Sequence, residues 1–195
     1  SNEVSQTIDA DPSISSQPSS GADVCVGGTV TQMSVTATGG SASYTYQWYT
    51  CAANGSGASS ISGETASTYT PSSASAGTTY YKVVISDSQG GCGTLTSSVV
   101  SQTIDADPTI SSQPSSGADV CVGGTASIMS VSVTGGSSSY TYQWRSATSS
   151  GGSYSNISGA TNSTYTPSTA SAGATYYKVV ISDSQSGCGS LTSSV

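Results

Sequence analysis

The sequence repeats itself with a period of 96 residues, and this repetition limits the possible folds more than any other feature. Landmark residues recur at that spacing: Cys25 and Cys121, Trp48 and Trp144, Lys82 and Lys178, Cys92 and Cys188. When 9–99 is aligned with 105–195, 68 of the 91 positions are identical, and the differences concentrate at 30–37 and 49–60. A unit copied without insertion predicts two domains of one fold.

The repeat register also predicts the domain boundaries. Residues 1–8 match 97–104, the last strand of a repeat, so we expect a tail of a preceding repeat at 1–8, repeat 1 at 9–104 and repeat 2 at 105–195, with an incomplete final strand. The chain then reads as a window on a longer tandem array. The alternative is strand donation, in which 1–8 of one chain completes the sheet left open at Val195 in another.

Alternating apolar and polar residues predict strands with one buried face. Three runs show the pattern: Met33, Val35 and Ala37; Tyr44, Tyr46 and Trp48; Tyr81, Val83 and Ile85. Gly39-Gly40, Ser62-Gly63 and Gly90-Gly91 mark turns between runs. About seven short strands per repeat indicate a β-sandwich, and a core Trp on the third strand fits the immunoglobulin-like pattern. The expected core residues are Trp48, Trp144, Tyr81 and Tyr177.

We therefore predict an all-β chain of two tandem immunoglobulin-like β-sandwich domains stacked end to end. In the first repeat the expected strands are A 13–17, A′ 22–26, B 29–38, C 43–50, E 66–70, F 79–86 and G 94–104.

Several motifs resemble the immunoglobulin-like repeats of giant Bacteroidetes-type surface adhesins. The segments that carry the resemblance are Gly39-Gly40-Ser41-Ala42-Ser43-Tyr44-Thr45-Tyr46-Gln47-Trp48, Val24-Cys25-Val26-Gly27-Gly28-Thr29 and Ser86-Asp87-Ser88-Gln89-Gly90-Gly91-Cys92-Gly93. Proteins with such repeats include gliding-motility adhesins of the SprB type and cargo of the type IX secretion pathway. The resemblance implies a secreted, structural stalk or filament at the cell surface.

Composition excludes several classes of function. The chain has no His and only three basic residues against ten acidic ones. Histidine-based triads and His-ligated zinc or haem sites are excluded, and a nucleic-acid groove is implausible because it needs Lys and Arg to neutralise phosphates. No apolar run approaches the roughly 20 residues of a membrane-spanning helix. We find no group that would activate a serine, and we expect no enzyme, no nucleic-acid partner and no membrane insertion.

Five cysteines, four of them repeating, indicate an oxidising compartment. In the strand scheme Cys25 lies at the A′–B turn and Cys92 at the F–G turn, at opposite ends of a sandwich. An intervening strand separates them by roughly 25 Å, whereas a disulfide tolerates Cα separations of about 4.4–6.8 Å. End-to-end stacking brings the A′–B turn of one domain against the F–G turn of the next, which predicts an interdomain disulfide between Cys25 and Cys188.

The pairing remains open to another reading, in which Cys25 bonds Cys92 and Cys121 bonds Cys188 within each repeat. In the interdomain reading, Cys92 and Cys121 pair with neighbouring repeats of the same array or filament. Cys51 has no repeated equivalent and is a free thiol, a competing partner for Cys25 or a lateral crosslink.

A calcium site is a further expectation at the repeat junction. Asp105 and Asp107 point the same way in an extended segment, and Asp183 ends strand F nearby. Three carboxylates with backbone carbonyls form the flexible oxygen cage that calcium prefers. The alternative is a solvated linker stiffened by Pro108. No other cofactor is expected.

The leading functional prediction is a repeat segment of an extracellular adhesin or filament, acting as a stiff spacer and contributing to adhesion. One alternative is a module that binds surface polysaccharide through Tyr49, Tyr80 and Tyr154, although Arg145 replaces Tyr49 in the second repeat. Another is the stalk of a secreted polysaccharide-degrading enzyme.

Overall fold

A computed structural model describes residues 3–88 and 92–194 of the chain. The chain forms two compact units. The first comprises 1–23 and 30–104, and the second comprises 24–29 and 105–195. The repeat register predicts that 24–29 belongs to the first repeat, whereas the structure places this segment in the second unit.

Strands are the only regular secondary structure among the described residues, which confirms the all-β prediction. In chain order they are β1 (Ser13–Ser16), β2 (Val24–Cys25), β3 (Met33–Ser34), β4 (Thr36–Thr38), β5 (Tyr44–Cys51), β6 (Ser59–Ser60), β7 (Thr68–Tyr69), β8 (Gly77–Asp87), β9 (Thr94–Thr96), β10 (Val100–Asp105), β11 (Thr109–Ser112), β12 (Met129–Ser130), β13 (Ser132–Thr134), β14 (Tyr140–Ala147), β15 (Ser155–Asn156), β16 (Thr164–Tyr165), β17 (Tyr176–Asp183) and β18 (Ser190–Thr192).

The first unit is built on the long strand β8. It pairs antiparallel with β5 on one side and with β9 and β10 on the other, and β6 extends the sheet beyond β5. The pairs β1–β4 and β3–β7 make up the opposing strands. Between them lies a cluster of buried side chains: Met33, Val35, Trp48, Tyr81, Val83, Ile85 and Val100.

Trp48 anchors this core. Its indole is fully buried, and its Nε1–H donates to the carbonyl of Ala66 at 2.9 Å. The ring of Tyr69 packs against it with centroids 5.5 Å apart, and Tyr81 packs on Tyr69 at 5.4 Å. Burying an aromatic ring while satisfying its polar atom makes this pair of contacts stabilising.

The second unit repeats the arrangement. Its main sheet has the order β15-β14-β17-β18, and β11–β13 and β12–β16 form the other pairs. Trp144 is fully buried, and its Nε1–H donates to the carbonyl of Asn162 at 2.9 Å. Tyr177, the counterpart of Tyr81, packs against this core but is only half-buried.

Two predicted strands are interrupted in the structure. Predicted strand B divides at Val35, whose N–H donates to the carbonyl of Ser67 at 3.0 Å instead of continuing one ladder. Predicted strand G divides into β9 and β10, and the pairing register with β8 changes by one residue across the gap. Ser97 lies in that gap and its buried hydroxyl accepts the N–H of Val83 at 3.0 Å.

Candidate functional site at the Cys25–Cys188 disulfide

A disulfide joins Cys25 to Cys188, which lie 163 positions apart in the sequence and have Cα atoms 5.0 Å apart. The Cα separation lies within the range that disulfides adopt. Both cysteines are buried. The predicted pairing of Cys25 with Cys188 is therefore present, but both residues belong to the second unit, so the bond is not the interdomain link that the strand scheme predicts.

Backbone hydrogen bonds hold the segment 24–29 in place beside the bond. The N–H of Cys25 donates to the carbonyl of Ser186 at 2.8 Å, and the N–H of Val26 donates to the carbonyl of Asp105 at 3.1 Å. The N–H of Thr29 donates to the hydroxyl of Ser186 at 3.0 Å. Because these bonds are mostly made by main-chain groups, the site depends on the path of the chain more than on side-chain identity.

Two glycines permit the close approach. A Cβ added to Gly28 would overlap the carbonyl oxygen of Ser186 and lie 2.9 Å from its carbon. A Cβ added to Gly187 would lie 2.6 Å from the N of Gly28, and Gly187 has a φ of +89° that other residues rarely adopt. The Gly-Gly turn after Cys25 and the Gly before Cys188 are therefore steric requirements of this contact.

The second copy of the same segment, 120–125, provides an internal comparison. Val24 is 4% exposed, whereas its counterpart Val120 is 46% exposed. Cys121 is an exposed free thiol, and a Cβ on Gly124 would approach only atoms of its own turn. One sequence thus adopts a bonded, buried state at 24–29 and an unbonded, exposed state at 120–125.

The remaining cysteines carry no disulfide in the described part of the chain. Cys51 and Cys92 are half-buried, and Cys121 is exposed. Burial raises the pKa of the Cys92 thiol, and the negative charges of Asp87, Asp11 and Asp9 raise it further. A raised pKa leaves less thiolate at neutral pH, which disfavours thiol–disulfide exchange at Cys92.

The predicted calcium ligands do not come together. Among residues 3–88 and 92–194, no three Cys, Asp or Glu side chains are placed to share a metal ion. Asp105 instead accepts a hydrogen bond from the amide of Gln185 at 2.8 Å, beside the disulfide. The spacing of Asp105, Asp107 and Asp183 predicts that they converge, but the carboxylates of Asp105 and Asp183 instead accept hydrogen bonds from Gln185 and Ser137.

Asp183 shows this most clearly. Burial raises the pKa of its carboxyl, but hydrogen bonds from the N–H of Gln185 and from the hydroxyl and N–H of Ser137 outweigh it, so the pKa is lowered overall. Those bonds measure 2.9, 2.8 and 2.7 Å. The charged carboxylate organises the turn that leads to Cys188.

The aromatic residues considered for polysaccharide binding are dispersed. Tyr49 and Tyr80 lie on one face of the main sheet of the first unit and are both half-buried. Tyr154 belongs to the second unit, where the ammonium of Lys178 lies 4.1 Å from its ring centroid. No single unit therefore presents all three rings.

Ser186, Gln185 and Gly28 were not singled out from the sequence. The sequence did contain a signal. Both repeats carry the same residues around the two turns, but Ser186 of the second repeat stands where the first repeat has Gly90. Pattern analysis assigned these residues to turns, and a turn by itself does not indicate which backbone groups it meets.

Comparisons with known proteins agree with the fold. A family model described as a domain of unknown function, DUF8696, matches the chain twice, over 14–106 and 110–195. No curated protein matches in sequence. Immunoglobulin domains 1–5 of Sidekick-1 superpose with a TM-score of 0.56 at 16% identity, over 96% of this chain and 38% of that one. The titin I-band fragment I67–I69 gives 0.62 at 15% identity, over 94% and 64%. The IG1+IG2 structure of DIP-gamma gives 0.52 at 12% identity, over 95% and 96%.

The chain therefore spans less than two thirds of the Sidekick-1 and titin structures that it matches. At these identities the likeness shows the fold alone, and it confirms tandem immunoglobulin-like domains.

Proposed function

The chain belongs to the DUF8696 family, and we propose that it is a structural segment of an extracellular adhesin or filament, a stiff spacer that bears load through its disulfide. The observation that carries the proposal is the Cys25–Cys188 bond, which spans 163 positions of sequence and encloses β3 to β17, the strands of the first unit other than β1 and most strands of the second. The resemblance of the repeats to those of giant surface adhesins supports the same assignment.

The Cys25–Cys188 disulfide determines which part of the chain carries tension. When the two ends are pulled, the shortest covalent path runs from residue 1 to Cys25, across the disulfide, and from Cys188 to residue 195. Residues 26–187, including Trp48 and Trp144, lie outside that path. Because the strands between the two cysteines carry no load, the extension of the segment under tension is limited to the residues outside the bond until the bond is reduced.

The same logic extends to an array. If successive repeats were joined by the same disulfides, each repeat would contribute one bond of this kind. Tension would then pass from one bond to the next through the residues between their cysteines, which correspond to 93–120 in this chain. Such a chain would respond to pulling as a row of covalent links. This behaviour suits a spacer that holds an adhesive end away from a surface.

An oxidising, extracellular setting fits the site. Structural disulfides persist outside the cytosol, and both cysteines of the bond in this chain are buried. In the described part of the chain, no helix is long and apolar enough to cross a membrane. We propose no catalytic role.

Single-molecule pulling through tags at the two ends tests the proposal. The oxidised chain is expected to extend by only the residues outside the bond. Reduction releases 163 residues at about 3.4 Å each, or about 550 Å of additional contour length. The variant C25A/C188A should show the long extension without reductant, whereas C51A should behave like the parent. Full-length extension of the oxidised parent would refute a load-bearing role for the bond.

A further inference from the structure

We propose that the outer face of the main sheet of the second unit carries a site for the carboxylate of a uronic-acid residue in an acidic polysaccharide. The site is formed by Arg145, Lys178, Tyr154 and Asn156. This inference goes beyond the spacer function proposed above and does not rest on it. It is carried by a pair of adjacent cations without an anion and by a comparison between the two copies of the repeat.

Arg145 and Lys178 lie directly opposite each other on the neighbouring strands β14 and β17. The residues next to them in sequence, Trp144 and Val179, are buried in the core. Because side chains alternate between the two faces of a strand, both cations lie on the outer face of the sheet. Like charges directly opposite on adjacent strands are destabilising. An anion bound between the two side chains would remove this repulsion.

The strands of this sheet do not supply that anion. Asp183 is the only carboxylate on β14, β15, β17 and β18. It lies opposite Tyr140, five pairs along the ladder from Arg145, which is a distance of about 17 Å. Interactions between exposed charges are largely screened beyond about 8 Å at physiological ionic strength. The face around Arg145 and Lys178 is therefore locally positive, although the chain as a whole has a net charge of -7.

The guanidinium of Arg145 also lacks an acceptor. Its Nε is buried, and no described residue accepts a hydrogen bond from it. A buried donor without an acceptor is costly, and such groups are rare in native structures. The remaining donors of a guanidinium form a planar fork that matches the two oxygens of a carboxylate. A bound carboxylate would engage this fork and place a negative charge beside both cations.

Tyr154 and Asn156 determine which carboxylate fits. The ammonium of Lys178 lies 4.1 Å from the ring centroid of Tyr154, and the hydroxyl of Tyr154 donates to the carbonyl of Ser150 at 3.1 Å. These contacts hold a half-buried ring beside the cations. Asn156 is exposed and lies opposite Arg145 on its other side. An aromatic ring packs on the C–H face of a pyranose, and an amide hydrogen-bonds its hydroxyls, so this set of groups suits a uronic acid.

The first unit shows the same surface without the site. Three of the four site residues differ between the repeats, and their counterparts in the first repeat are Tyr49, Ala58 and Ser60. Lys82, the counterpart of Lys178, donates to the carbonyl of Gly55 at 2.7 Å, so its charge is engaged by the chain itself. The differences between the repeats therefore gather around one lysine, and in the second repeat they place a guanidinium, an aromatic ring and an amide beside it.

NMR titration of the full chain with trigalacturonate tests the proposal. Arg145 is the only arginine in the sequence, so its Nε–H gives a single arginine signal in a ¹H–¹⁵N spectrum. This signal and the backbone amides of 145–156 should shift and saturate with a Kd on the order of 1 mM or below. The backbone amides of 49–60 should not move. An arginine signal that stays in place at 20 mM ligand, about twenty times that Kd, would overturn the proposal.

Two related ligands separate the carboxylate from the molecule that carries it. Methyl-esterified trigalacturonate keeps the sugar rings and loses the charges, so it should bind at least about tenfold more weakly. Triglutamate keeps side-chain carboxylates and lacks the rings, so it should bind severalfold more weakly than trigalacturonate. Equal binding of the ester would refute the role of the carboxylate. Equal binding of triglutamate would refute the assignment to a polysaccharide.

Three variants test the residues. Arg145→Tyr introduces the residue that the first unit carries at this position, so the sheet should fold, and affinity for trigalacturonate should fall at least about tenfold. Lys178→Met should weaken binding severalfold. Lys82→Met is its matched control, because it removes the same charge at the same position of the other repeat, and it should leave binding unchanged.

Thermal unfolding of each variant verifies that the second unit is folded. Unchanged affinity in Arg145→Tyr, or equal effects of Lys178→Met and Lys82→Met, would overturn the proposal. None of these measurements involves tension or the disulfide, so their failure is distinct from a failure of the spacer function.

Discussion

Removal of the Cys25–Cys188 disulfide should destabilise the second unit and leave the first almost unchanged. Both cysteines belong to the second unit, and each unit has its own core cluster. The units are therefore expected to unfold in separate transitions. The informative perturbation is the double variant C25A/C188A, which removes the bond without placing hydroxyl groups in buried positions.

The size of the effect can be worked from the loop that the bond closes. For 163 residues, the chain-entropy relation gives a contribution of about 5 kcal/mol to the free energy of unfolding. The first unit can remain folded when the second unfolds. This shortens the flexible part of the loop that the bond closes, and it lowers the contribution of the bond to the free energy of unfolding. Native disulfides typically contribute about 2–4 kcal/mol. For a domain of this size, 2 kcal/mol or more corresponds to a decrease in Tm of at least about 8 °C.

Scanning calorimetry of the parent and the double variant measures this directly. The Tm of one transition should fall by at least about 8 °C. The Tm of the other transition should change by less than about 2 °C, the small change expected for a core far from the substitution. The variant C92A/C121A, which removes two free thiols, should leave both transitions in place. If C25A/C188A shifts neither transition, or shifts both equally, the assignment of the bond to the second unit is wrong.

Three further predictions concern single residues. Gly28→Ala should lower the stability of the second unit by about 1–3 kcal/mol, because its Cβ would overlap the carbonyl of Ser186, whereas Gly124→Ala, which meets only the carbonyl of Cys121 in its own turn at 3.0 Å, should cost less in denaturant unfolding. Ser97→Ala leaves a buried backbone N–H without its acceptor and should cost the first unit about 1–3 kcal/mol, measured by urea midpoint. The lowered pKa of Asp183 stabilises the second unit above the ordinary aspartate pKa of about 3.9, and this contribution is lost as pH falls through the lower folded value. Asp183→Asn should therefore flatten the decline of Tm between pH 5 and 2, and an unchanged pH profile would count against that role.

The strands with clear alternation were predictable because one face of each is buried. Predicted strand C at 43–50 corresponds to β5 at Tyr44–Cys51, and predicted strand F at 79–86 lies within β8 at Gly77–Asp87. The interruption at Val35 was not predictable, since the apolar pattern continues through it. What diverts the chain there is a hydrogen bond to Ser67, a residue more than thirty positions away.

The disulfide was predictable from geometry, but its surroundings were not. Strand lengths were enough to separate Cys25 from Cys92 and to favour Cys188. The roles of Ser186 and Gly28 depend on which backbone groups of the segment 24–29 meet the turn before Cys188. The local sequence of either segment does not predict these contacts. Asp105 was assigned to a metal by the spacing of carboxylates, whereas its contact with Gln185 depends on tertiary placement.

The local pattern does not distinguish 120–125 from 24–29. The six residues of the two segments are identical, so the pattern by itself predicts the same environment for both. The difference in exposure between Val24 and Val120 arises from what each segment contacts and not from its composition.

Mass-spectrometric mapping of disulfides in the non-reduced chain tests the central claim most directly. A peptide pair linking Cys25 to Cys188, with Cys92 and Cys121 unpaired in the monomer, is the expected result. Peptide pairs linking Cys25 to Cys92 and Cys121 to Cys188 would contradict it.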